Sequence, residues 1–312
     1  MTSDGAVPWI DAATLTGLLP MIAAIDVLEA ALVGGLDPSA DPPRSVVDTR
    51  HGQLLLMPTE AADRVGVKIV SVAPGNAERG LPRIQGMYLL MDAQTLAPVA
   101  LMDGMAITSL RTPAMSALAV RHLAPGDASR LVVFGAGPQA WGHVAAVRAV
   151  RPLTDVVVVG RDPGRTHSFV DRLVATGVHG SVGTPDAVAD ADVVVCATTS
   201  ADSLFDGRLI RDSACVVAVG SHEPHRRELD AKLLGRACVV VEDVATALRE
   251  AGDVVLSLAD GAIAVSGLLT IADIVTGRVS VDRGRPRVYK SVGMAWQDLV
   301  VAAEVHRRQD VA

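Results

Sequence analysis

Aromatic side chains are nearly missing from this chain. Phe, Tyr and Trp together make up 3% of its 312 residues, although 50% are apolar. A core without large rings has to be filled by small and β-branched side chains. Such cores suit buried parallel strands with helices on both faces. Cysteine is scarce too. Cys196, Cys215 and Cys238 match no metal-ligand spacing and no Cys-x-x-Cys pair, and each sits in a Val-rich run. They read as reduced, buried, small apolar residues, which fits a cytoplasmic protein and no metal site. Positive charge is in deficit: 28 Lys and Arg stand against 35 Asp and Glu, a net −7, with no basic stripe. That balance argues against nucleic acid as a partner. No uncharged apolar run reaches membrane-spanning length, and the first ten residues lack a signal peptide's basic start and apolar stretch, so no membrane role is expected. No internal repeat is visible. The ample apolar content excludes disorder, and the length leaves room for two domains.

The first third reads as antiparallel strands with a helix. A short strand or turn near residue 9 leads into an amphipathic helix to 34, with Ile22, Ile25, Leu28, Leu32 and Val33 on one side. Residues 35–44 form a Gly/Asp/Pro loop, and 45–58 a strand pair turning at His51-Gly52. Residues 65–72 alternate like a half-buried strand, 73–83 form a loop, and 86–102 a further hairpin. A helix is predicted over 108–123, starting near Thr112 or kinked at Pro113. The pattern changes at 130. Continuous β-branched runs at 131–134, 155–159, 192–196, 215–219 and 238–241 alternate with helical or turn segments. This is the mark of a doubly wound parallel sheet. A last helix is expected over 290–307.

Gly135-Ala136-Gly137-Pro138-Gln139-Ala140 directly follows a strand and opens a helix. The first Gly permits the tight turn, the second lets backbone approach a pyrophosphate, and Ala140 allows close helix–strand packing. Free N–H groups at the helix start then face the phosphates. This predicts a nicotinamide dinucleotide site. The second strand ends Val159-Gly160-Arg161-Asp162. Gly160 supplies no carboxylate for a ribose hydroxyl, and Arg161 suits a 2′-phosphate, which favours NADP(H) over NAD(H). The alternative leaves Arg161 in solvent and gives the ribose to Asp162. Thr198-Thr199-Ser200 follows the 192–196 strand, at the carboxyl edge where a nicotinamide would lie.

Arg44, Lys68 and Arg111 are the cations of interest in the first third. Lys68 lies amid Gly66, Val67, Ile69 and Val70, and a buried Lys needs a partner or a ligand. Any one of the three suits an ordinary ion pair; together they suggest a carboxylate-binding pocket. Met57, Met87, Met91 and Met294 are candidates for an apolar wall, or simply for core.

Ten segments make the chain resemble the ornithine cyclodeaminase/mu-crystallin family. They are Pro43-Arg44, Met57-Pro58, Gly66-Val67-Lys68, Pro74-Gly75-Asn76, Gly80-Leu81-Pro82, Thr108–Thr112 with Ser116–Ala119, the Gly135 motif, Ala197–Ser200, Arg227–Asp230 and Lys290–Ala295. The resemblance implies an α/β architecture in which a Rossmann-type sheet (121–289) is inserted into an α+β substrate and dimerisation domain (1–120 with 290–312). It implies a homodimer acting on a small amino or imino acid. By match of motif, Arg44, Lys68 and Arg111 hold the substrate carboxylate. Thr112, Thr198, Ser291 and Gly293 lie around the cofactor, and Thr199 and Gly220 are placed with them.

The chain departs from the cyclodeaminases where these carry an Asp base after the fifth strand. Here the segment is Gly220-Ser221-His222-Glu223-Pro224. His222 stands at the Asp position, as a general acid, a cofactor contact or a plain loop residue, with Glu223 as a possible substitute carboxylate. Together with Arg161, this favours reductase members acting on cyclic imines such as Δ1-pyrroline-2-carboxylate. A cyclodeaminase, an alanine dehydrogenase and a crystallin-like NADPH-binding protein are the alternatives.

Overall fold

The computed structural model describes residues 6–309 and 311. Its elements run β1 (Trp9–Ile10), α1 (Ala12–Leu18), α2 (Met21–Val33), β2 (Ser45–Thr49), β3 (Gly52–Ala61), β4 (Arg64–Val72), β5 (Ile84–Asp92), β6 (Pro98–Asp103) and α3 (Gly104–Leu123). Then come β7 (Arg130–Phe134), α4 (Pro138–Val150), β8 (Asp155–Val159), α5 (Pro163–Val174), β9 (His179–Val182), β10 (Val193–Cys196), β11 (Cys215–Ala218), α6 (Ala231–Leu234) and β12 (Cys238–Val241). Last are α7 (Val244–Glu250), α8 (Gly252–Ala259), β13 (Leu268–Thr270), α9 (Ile271–Val275), β14 (Arg287–Lys290) and α10 (Ala295–Gln309). Contacts divide the chain into two units. One joins the residues up to Thr112 with those from Met294 onward, and the other is Pro113–Gly293. The sequence placed these boundaries after 120 and before 290. The second differs because residues 287–290 are a strand of the inserted unit.

The first unit is built on a six-stranded sheet of order β1-β6-β5-β4-β3-β2, antiparallel except for β1 against β6. Its register aligns Met57, Lys68, Tyr88 and Met102 on one face. Helix α10 packs on that face against β3 and β4, and also against α2. On α2 the buried stripe is Ala24, Ile25, Leu28 and Leu32, whereas Ile22 and Val33 are 44% and 63% exposed. Those two were misplaced because they flank the stripe that a 3.6-residue period buries. Met87 falls on the opposite sheet face from Met57, so the methionines do not make one wall.

Helix α3 starts four residues earlier than the 108–123 expectation. Asp103 accepts the N–H groups of Met105 and Ala106, each at 2.9 Å, and so caps it. Pro113 lies inside the helix and removes the N–H that would reach the carbonyl of Ser109. Ser109 is exposed, where water can serve that carbonyl instead.

The inserted unit carries eight parallel strands in the order β13-β12-β14-β11-β10-β7-β8-β9. From β7 the chain winds outward through β8 and β9, then returns to β10 on the other side. The carboxyl ends of β7 and β10 therefore form the switch-point crevice where such sheets bind ligands. The 290–307 helix is corrected at its start. Residues 287–290 are the buried strand β14, and the helix begins at Ala295, after Gly293 at φ +77°. β14 (Arg-Val-Tyr-Lys) has charged ends, so it shows no apolar run. Arg287 spends its guanidinium on backbone carbonyls, among them Leu123 at 3.0 Å and Asp212 at 2.8 Å.

Candidate active site

At the switch point the inserted unit holds a cleft of about 580 Å³, lined by Gly135–Gly137, by Val159–Asp162 and by Ala197–Ser200 among others. Gly135 sits at φ +108°, and a Cβ there would stand 2.6 Å from the carbonyl of Ala197. Only glycine fits that turn. Gly137 caps α4 without a side-chain bond, and a Cβ on it would meet nothing within 4 Å. The helix start is thus open, with its first N–H groups unclaimed by a cap. Pro138 occupies the first helical position, and Ala140 is fully buried against the sheet. The Gln139 side-chain Oε1 is buried with no protein partner. Uncapped helix, open glycine and orphaned amide together fit a dinucleotide's phosphates.

At the end of β8, a Cβ on Gly160 would lie 2.3 Å from Thr166 Oγ1, so packing forbids a carboxylate there. Asp162 caps α5 by accepting the Arg165 N–H at 3.0 Å. The exposed side chains of Arg161 and Arg165 both line the cleft. Arg165 had escaped the sequence reading, which looked only at the strand end; a cation one helical turn into α5 was the available signal.

On the other lip, Thr198 and Thr199 line the cleft. Thr198 is held by the buried Glu228, which accepts its N–H at 2.8 Å and its hydroxyl at 2.7 Å. The other Glu228 oxygen accepts the Gly220 N–H at 2.7 Å. Burial pushes the Glu228 carboxyl up, and Lys290 pulls it back. Lys290, fully enclosed, pairs with Asp253 at 2.9 Å and donates to the Ser221 carbonyl at 2.6 Å. Asp253 in turn accepts the N–H groups of Glu228 and Leu229 at 2.7 and 2.8 Å. Gly220, Ser291 and Gly293 do not line this cleft. Ser291 and Gly293 are bound by Glu242, through the Ser291 hydroxyl at 2.9 Å and the Gly293 N–H at 3.0 Å. His222 is exposed on the loop after β11. Neighbouring Glu223 pairs with His225 at 3.1 Å and Arg226 at 3.7 Å.

The first unit gathers the predicted cations on a residue the sequence reading missed. Asp298 of α10 is fully buried and accepts Lys68 Nζ at 2.7 Å and Arg111 Nε at 3.1 Å, one on each carboxylate oxygen. Gln297 Oε1 accepts Arg111 Nη1 at 3.1 Å, and Thr108 Oγ1 lies 3.5 Å from Lys68 Nζ. Asp298 was legible only as the Asp that follows the Lys290–Ala295 segment by three residues. Burial brings the Lys68 ammonium down to about 8, helped by the nearby Arg111 and Arg44 charges and resisted by Asp298. Arg44 is therefore close enough to bear on Lys68. Its loop is tied down by Asp41, which accepts the Trp296 N–H at the start of α10 at 2.8 Å and the Thr59 hydroxyl. Thr112, partly buried, follows Arg111 in α3. Two cations thus meet on one internal carboxylate, and the charge of a third, Arg44, bears on Lys68. Among the described residues, no group of three or more His, Cys, Asp or Glu could hold a metal.

The model of the ornithine cyclodeaminase/mu-crystallin family matches residues 11–311. The Δ1-pyrroline-2-carboxylate reductase 2 of Burkholderia ambifaria is 33% identical over 302 residues, covering 96% of this chain and 95% of its own. Ketimine reductase mu-crystallin of Rattus norvegicus is 33% identical over 294 residues, with 90% of each covered. Among solved structures, the Δ1-pyrroline-2-carboxylate reductase of Thermococcus litoralis, in complex with NADH and L-proline, superposes with a TM-score of 0.91 at 28% identity, covering 98% of both chains. With the family model matched over residues 11–311 and relatives a third identical along nine-tenths or more of its length, the chain belongs to the ornithine cyclodeaminase/mu-crystallin family.

Proposed function

We propose that the protein is an NAD(P)H-dependent reductase of cyclic imino acids of the Δ1-pyrroline-2-carboxylate or Δ1-piperideine-2-carboxylate type. The observation that carries this reading is the pairing of Lys68 and Arg111 on Asp298, with Arg44 beside them. Arg44 and Arg111 bind the substrate carboxylate. Lys68, poised near neutral pH, gives its proton to the imine nitrogen, and Asp298 keeps it charged until then. The bound cofactor supplies the hydride that reduces the imine carbon. Imine, reduced cofactor and one proton thus become cyclic amine and oxidised cofactor. Glu223, the carboxylate beside the Asp position, is engaged by His225 and Arg226. That favours reduction over cyclodeamination, with His222 as a contact at the reacting end.

Arg161 and Arg165, with Gly160 in place of an acid, favour NADP(H) over NAD(H). We assign a homodimer to the sheet face opposite α10, where Leu54, Leu56, Val67, Ile69, Met87 and Leu89 are all left unburied. Three free, buried thiols suit a cytoplasmic setting.

The test is cofactor oxidation followed by absorbance, with NADPH and NADH against five- and six-membered cyclic imine carboxylates, and with ornithine, lysine and alanine in reverse. Fast oxidation of NADPH by a cyclic imine is expected. An Arg161→Ala/Arg165→Ala protein should lose about tenfold or more of its preference for NADPH. Conversion of ornithine to proline, or tight NADPH binding without turnover of any imine, would overturn the reading.

A further inference from the structure

Between α3 and α4 lies a polar pair that the reaction above does not use. Ser116 and His143 are both fully buried, with Ser116 Oγ 2.9 Å from His143 Nε2. His143 Nδ1 lies 2.7 Å from the carbonyl of Gln139. A carbonyl only accepts, so Nδ1 carries the ring proton. Nε2 is then the acceptor, and the Ser116 hydroxyl donates to it. Burial holds the imidazole down to about 4, so it stays neutral through the working range. The hydrogen-bond polarity is that of a serine nucleophile and its base, but neither group reaches solvent. The chemistry available to the pair is positional.

What it positions is the first turn of α4. Gln139 follows Pro138, which has no N–H, so its own N–H is the first helical donor at the open, uncapped start. Its carbonyl is gripped by an imidazole that is itself fixed by Ser116. We infer that Ser116 and His143 are positioning residues for the dinucleotide: they set the tilt of the Gln139–Ala140 peptide, whose N–H is that of Ala140, and through it the first turn whose N–H groups receive the pyrophosphate. This rests on the dinucleotide reading of the cleft.

Asn and Gln at 143 separate the two bonds. His143→Asn can keep a donor to the Gln139 carbonyl and loses the Ser116 acceptor. His143→Gln can keep the acceptor and loses the donor. NADPH and 2′,5′-ADP, which lacks the pyrophosphate bridge, are titrated into wild type, both variants and Ser116→Ala. NADPH affinity should fall about tenfold in His143→Gln, less in His143→Asn, with 2′,5′-ADP nearly unchanged. The imine KM should also hold. Equal losses for both probes, tracking Tm rather than which bond is kept, would overturn the inference. So would unchanged NADPH affinity. Wild-type protein that bound no dinucleotide would instead sink the cofactor reading itself. If the 143 variants do not fold, Ser116→Ala and the ¹⁵N spectrum of wild-type His143 decide. The expected spectrum has a protonated Nδ1 and a bare Nε2 down to pH 5, shifting on NADPH binding; a protonated Nε2 or no shift would overturn it.

Discussion

Asp298 gives Lys68 most of the countercharge that opposes its burial, so the ammonium settles near 8 rather than far lower. A proton donor with that value is charged below pH 8 and neutral above it. Imine reduction at saturating cofactor should therefore be flat toward neutral pH and fall about tenfold per unit above about 8. Replacing Asp298 by Asn removes a neighbour that raises the Lys68 value. The descending limb should then move to lower pH, and kcat/KM at pH 7.5 should drop at least tenfold. A pH–rate profile of Asp298→Asn with an unshifted limb would mean that another group is titrating. Lys68 stood out as a cation inside an apolar strand because burial of an amine demands a partner. Asp298 did not, because an Asp near the start of a helix reads as a cap or a surface charge until α10 is seen packing inward.

Short elements with charged ends were the hardest to read. β7, β8, β10, β11 and β12 announced themselves as Val-rich runs, since a strand covered on both faces has no polar side. β14 carries Arg287 and Lys290 at its ends and shows no apolar run, so the helix expected from 290 takes in its last residue, while β9 has little apolar content and β13 is only three residues long. The glycine turn at 135 was readable because the conformation and the contact leave no other residue, whereas the network beneath Thr198 and Gly220 joins residues 198, 220, 228, 253 and 290 and has no sequence spacing. That network makes a prediction for β14. Lys290→Met leaves the Asp253 charge fully buried without its cation, beside a Glu228 carboxyl that burial pushes up and Lys290 helps to hold down. Unfolding in urea should show a loss of about 3–5 kcal/mol. Adding Asp253→Asn should recover part of it; no recovery would mean that the methionine itself fails to pack.

At the scale of the whole molecule, the six-stranded sheet has one face filled by α10 and another that is apolar and unburied. Strands of this kind seldom present Leu, Ile and Met on both faces unless something covers the second. Wild-type protein should sediment at about twice the 32.3 kDa chain mass. Leu89→Lys, which puts a charge in the middle of that face, should shift it toward monomer without removing dinucleotide binding. A variant that stayed dimeric would send the interface elsewhere. The parallel sheet and its cleft were legible from the chain; the interrupted first unit was implied only by resemblance, because no local pattern reveals that residues 9–103 wait for residue 295.

That waiting has a consequence for synthesis. The ribosome releases β3 to β6 and the first half of α3, with Lys68 and Arg111, long before it makes Asp298. The intervening stretch takes on the order of ten seconds or more to translate. Throughout that interval the sheet can pair its strands but cannot enclose its two cations, since enclosing them without a counterion is strongly unfavourable. The nascent sheet is therefore held open, its apolar face a target for chaperones, while the inserted unit has everything it needs to fold. Closing the first unit is then gated by one late carboxylate, so that Lys68 and Arg111 become ordered only in a chain that already carries the cleft at the Gly135 turn.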